Sequence, residues 1–152
     1  MKKLVILIII IFSANGLFAQ TTNPSYDSVL AEKLGADAYG MKSYVLVILK
    51  TGETSTADTA ETRKAFAGHM DNINRLVKDG KLIVAGPLGK NDLKFRGIFI
   101  LNVNNIEEAK LLVQTDPTVK AGFLDAVYLN WYGSAALPMY LPYSEKIWKS
   151  GF

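Results

Sequence analysis

Cysteine is absent from this 152-residue sequence, and histidine occurs once, at position 69. The first absence excludes a disulfide framework, a cysteine-borne lipid anchor and a thiol nucleophile. Together they exclude a zinc site of His and Cys ligands, which takes three or four of them. No cluster of carboxylates replaces those ligands, so no metal and no other cofactor is expected. Basic residues interleaved with aromatics are missing too, which argues against a nucleic-acid partner.

Long apolar runs are confined to the start of the chain, MKKLVILIIIIFSANGLFAQ, which has the layout of a targeting segment. Lys2 and Lys3 precede nine apolar residues, Leu4 to Phe12, and Leu17-Phe18-Ala19 forms a cleavage site. Crossing a bilayer takes about 20 apolar residues. The expectation is a signal peptide over residues 1–19, cut after Ala19, and a periplasmic or secreted product with no membrane attachment after cleavage. Two of the 17 Lys and Arg leave with that segment, so 15 basic residues face 14 acidic ones and the formal +3 charge falls to near neutrality.

What remains is one domain's worth of apolar residues with recognisable periodicities. Residues 20–42 read as a leader, with a short helix at Ser28–Leu34 stopped by Gly35. SYVLVILK, 43–50, is a strand apolar on both faces, Tyr44, Leu46 and Ile48 on one and Val45, Val47 and Leu49 on the other. A helix over about 59–79 follows, with Phe66, Met70, Ile73 and Val77 at the spacing of a core stripe and Gly80 as its stop.

KLIVAGPL and FRGIFILNV, joined by LGKND, predict a hairpin. Asn104 with Glu107 three residues on predicts the cap of a second helix ending near Thr115. Asp116-Pro117 predicts one more helical turn closed by Gly122, and LDAVYLNWYG predicts the fourth strand. In the tail, 134–152, Pro138 and Pro142 predict an extended segment anchored by Tyr140, Tyr143 and Trp148.

The order strand, helix, strand, strand, helix, strand is the ferredoxin-like split βαβ arrangement (βαββαβ) of the α+β class, with an antiparallel sheet. Its helices cover one sheet face. Strands apolar on both faces therefore predict a homodimer through the second face, with the tail as the alternative cover.

At about 100° per residue, His69 lies some 60° from Phe66, at the rim of the predicted stripe. Two readings stand side by side: a hydrogen-bonded residue at the core edge, or a general base. The second needs a carboxylate to fix the ring tautomer, and Asp116 is the candidate. Asp116 is equally explained as a helix cap before proline. Arg96 interrupts an apolar strand, fit either to hold an anionic substrate through its planar fork or to make a sheet-edge ion pair.

The runs GHMDNINRLVKDGKLIVAGPLG and FRGIFILNVNNIEEAKLLVQTDPTVKAGFLDAVYLNWY resemble the YCII-related family of the dimeric α/β barrel superfamily, over residues 43 to 133. The resemblance implies a sheet-to-sheet dimer forming a barrel and a first-helix histidine paired with the aspartate of the DP turn, which here are His69 and Asp116. It also implies a small-molecule enzyme with acid–base chemistry, akin to the superfamily's muconolactone isomerases and dehalogenases, although fold alone does not name a reaction. A non-catalytic dimeric module that binds a small ligand is the alternative reading, and haem binding through His69 a third.

Overall fold

The computed structural model describes residues 23–54 and 59–150, so the predicted signal peptide lies outside the described residues. Helix α1, Ser28–Leu34, is capped by Asp27 and stopped by Gly35 in the left-handed conformation, as its sequence dictates. Strand β1, Met41–Thr51, starts two residues earlier than predicted and is followed by helix α2, Ala60–Lys78. Strands β2, Leu82–Pro87, and β3, Phe95–Leu101, form the predicted antiparallel hairpin. Helices α3, Ile106–Val113, and α4, Pro117–Lys120, precede strand β4, Leu124–Ser134.

The sheet order is β2-β3-β1-β4, with every neighbouring pair antiparallel, as a ferredoxin-like fold requires. Strand β1 is central because both of its ladders are filled, by β3 on one side and β4 on the other. Its odd residues Val45, Val47 and Leu49 join Phe99 and Leu101 of β3 under Leu76 of α2 and Ala109 and Val113 of α3 to form the core.

The even residues form a second apolar surface. Leu46 stands in one row with Ile100 and Leu129, and Ile48 in the next with Ile98 and Val127. Val127 and Leu129 are 36% and 45% exposed, so this face is not closed within the single chain. At its end Tyr44 is buried, with its ring 5.5 Å from that of Trp131 and its hydroxyl donating to the Ser134 carbonyl at 2.9 Å.

Three local expectations are corrected. Asn105, not Asn104, caps α3, its side chain accepting from the Glu108 amide at 2.8 Å. Of the predicted α2 stripe, Ile73 and Val77 pack against the core, but the buried residues of the helix are Thr62, Ala65, Asn72 and Leu76, and Phe66 is 36% exposed. His69 therefore sits along the inward face and not at its rim. The tail is not extended: Leu137–Tyr140 makes a 3₁₀ turn and α5 spans Leu141–Ser144, because Pro138 and Pro142 occupy starting positions of helical turns, where proline is tolerated. Tyr140 ties this tail to the body by donating its hydroxyl to the Ile83 carbonyl.

Candidate active site

Asp116 is the N-cap of α4, and its two carboxylate oxygens divide the work. Oδ1 accepts from the Thr118 amide at 2.9 Å and the Thr118 hydroxyl at 2.6 Å, whereas Oδ2 lies 2.6 Å from His69 Nδ1. Capping and pairing, alternatives in the sequence, are satisfied together. The structure thus brings His69 and Asp116 into contact across 47 residues of chain.

Both Asp116 and Thr118 are fully buried, and the His69 side chain is 13% exposed. Burial pushes the Asp116 carboxyl up, but the hydrogen bonds from His69 and Thr118, with the charge of a protonated His69, outweigh it and hold the group below the usual carboxylate range. An ionised carboxylate can only accept, so the geometry assigns the proton of a neutral imidazole to Nδ1. Nε2 has no hydrogen-bond partner among the described residues and keeps a lone pair for chemistry. The ring is held flat against Phe99, centroids 5.9 Å apart, and meets Phe66 edge-on at 6.2 Å.

Close packing of α2 on α4 makes this contact reachable. A Cβ at Gly68 would stand 2.8 Å from Pro117 Cγ, so only glycine lets the Asp-Pro turn approach the helix at this point. Gly68→Ala is expected to cost about 1–3 kcal/mol through overpacking, read as a lower midpoint in urea denaturation.

Arg96 lies one bulge away. Leu49 faces Gly97 and Lys50 faces Phe95, leaving Arg96 as the extra residue of β3. It lines a cavity of about 290 Å³ with Thr51, Thr62, Phe66, Phe123 and Leu124. Phe66 is common to this cavity and to the His69 surroundings, whereas His69 and Asp116 are not among its walls. The sheet-edge ion pair considered for Arg96 is not formed among the described residues. Among those residues no three His, Asp or Glu side chains gather closely enough to hold a metal ion.

Sequence reasoning missed a second polar cluster beside the pair. Thr115, the residue before Asp116, meets Arg75 Nη2 and Asn72 Oδ1, each at 2.8 Å, and Arg75 Nη2 reaches Asn72 Oδ1 at 2.7 Å. Asn72 is buried and its Nδ2 has no partner among the described residues, an omission that costs about 1–3 kcal/mol. The available signal was the α2 spacing 62, 65, 69, 72, 76, visible once threonine and asparagine are counted with the apolar residues.

No curated protein matches the chain in sequence. Among solved structures, a 5-chloro-2-hydroxyhydroquinone dehydrochlorinase from Burkholderia phenoliruptrix, in complex with 2,5-dihydroxybenzoquinone, is similar at 21% identity and a TM-score of 0.42. The likeness covers 57% of this chain and 92% of that one. The YCII-related domain matches residues 43–130, more than half of the sequence. With the βαββαβ order and the antiparallel sheet in place, the chain belongs to the YCII-related family.

Proposed function

We propose that this protein is a small-molecule enzyme in which His69 is the general acid and base. The observation that carries the reading is the 2.6 Å contact between His69 Nδ1 and the buried carboxylate of Asp116. With Nδ1–H donated to Asp116, the Nε2 lone pair takes a proton from a carbon next to a carbonyl. Asp116 stabilises the resulting imidazolium. The electron pair left on the substrate becomes an enolate. His69 then returns the proton to a different carbon, an isomerisation, or the electron pair expels a leaving group, an elimination.

Arg96 supplies a planar cationic fork for the anionic end of a lactone-like or small cyclic acid, in a cavity whose remaining walls are two phenylalanines, a leucine and two threonines. The open sheet face of Leu46, Ile48, Ile98, Ile100, Val127 and Leu129 is covered in this reading by the same face of a second copy. The targeting layout of residues 1–19 supports action in the periplasm or outside the cell.

Proton abstraction is testable before the product is known. A panel of small cyclic acids and lactones is incubated in D₂O with the protein, and solvent deuterium entering the substrate is followed by NMR. At least one compound is expected to exchange faster with the wild-type chain, and His69→Ala to remove about 10² to 10⁴ of that acceleration. Equal exchange with and without His69 refutes the proposal.

A further inference from the structure

The Asp-Pro turn is held to α2 at two successive points, and only the second lacks a role in the chemistry above. At the first, Asp116 meets His69; at the second, Thr115 meets Asn72 and Arg75. Asn72 is three residues beyond His69 on the same inward face of α2, so the two contacts are neighbours on the helix and neighbours on the turn.

The Asn72 amide has one workable orientation. Its Oδ1 accepts from Arg75, and turning the amide over would set an NH₂ against a guanidinium, donor against donor. The same orientation strands Nδ2, which is buried without a partner among the described residues. A leucine here would fill the space without stranding an NH₂ group. What leucine could not supply is the acceptor that joins Arg75 and Thr115.

We infer that Asn72 and Arg75 are positioning residues that, by fixing Thr115, hold Asp116 at bonding distance from His69 Nδ1 and so set which ring nitrogen carries the proton. This inference rests on the acid–base reading of His69. The Thr115 hydroxyl has one proton to give, to the Leu112 carbonyl at 2.6 Å or to Asn72 Oδ1 at 2.8 Å, and in either case its oxygen accepts from Arg75 Nη2, which also donates to Asn72 Oδ1.

Because the chain has a single histidine, the proton position is directly readable in the intact protein. Labelling histidine with ¹⁵N and recording long-range ¹H–¹⁵N correlations distinguishes Nδ1–H from Nε2–H. The wild type is expected to show one Nδ1–H tautomer. Asn72→Leu, Arg75→Met and Thr115→Val are expected to give mixed tautomers and at least tenfold faster exchange of the Nδ1 proton with water. Thr115→Ser, which keeps the hydroxyl, should retain the wild-type spectrum.

Thermal melting separates positioning from support. Asn72→Leu is expected to melt no lower than wild type while losing the single tautomer, and Arg75→Met, at a half-exposed site, provides a folded second variant. A single Nδ1–H tautomer with unchanged proton exchange in folded Asn72→Leu and Arg75→Met overturns the inference and leaves the His69–Asp116 reading standing. An Nε2–H tautomer in the wild type overturns both.

Discussion

Asp116→Ala is expected to destabilise the chain by about 3–5 kcal/mol, because it removes one partner of a buried pair and leaves the other without compensation. Three donors lose their acceptor at once: His69 Nδ1–H, the Thr118 amide and the Thr118 hydroxyl. For a domain of this length the loss corresponds to a melting temperature lower by about 10–20 °C, measured by calorimetry or circular dichroism. The proposed proton transfer should fall with it, since an imidazole without a fixed tautomer presents Nε2–H in part of the molecules in place of the lone pair. Asp116→Asn separates the two effects. It retains the volume and one acceptor oxygen, so less stability is lost, but its NH₂ opposes one of the donors and deuterium exchange on the substrate should still fall about 10² to 10⁴-fold.

The same pair makes a pH prediction with a definite sign. The folded carboxyl of Asp116 titrates below its unfolded value of about 3.9, so its stabilisation is complete above that value and is lost as pH falls through the folded one. The difference in melting temperature between wild type and Asp116→Asn should therefore shrink as pH falls below about 4. A difference that widens as pH falls below about 4 contradicts this assignment.

Much of this site was written in local sequence, and the parts that were not have a common cause. Asp116-Pro117 announced a helix start, and Gly80 and Gly122 marked stops that the backbone honours with left-handed conformations. Alternation in β1 announced two apolar faces. Periodicity was right on α2 for Ile73 and Val77, which pack against the core, but because it weights only hydrophobicity it drew Phe66 into the core and ignored Thr62 and Asn72. The Oδ1 of buried Asn72 is met by Thr115, 43 residues away, and no window of local sequence contains both. The Arg96 bulge has the same origin, being a register slip between β1 and β3. Adjacent asparagines at 104 and 105 left the cap of α3 ambiguous by one residue until backbone geometry chose the second.

Leu129→Asp is expected to dissociate the proposed sheet-to-sheet homodimer while leaving the monomer folded. Leu129 is 45% exposed in the single chain and shares a row with Leu46 and Ile100 in the middle of the uncovered sheet face, so the monomer loses little by the change. In a face-to-face dimer each copy forfeits a buried leucine worth about 1.5–3 kcal/mol, and two carboxylates enter an apolar interface without partners. Doubled by symmetry, these terms raise the dissociation constant by about 10³ or more. Sedimentation velocity across the micromolar range should show a wild-type dimer and a variant monomer with equal far-ultraviolet circular dichroism. A wild-type monomer refutes the sheet-to-sheet arrangement, because the only expected effect of aspartate at an already solvated position is higher solubility.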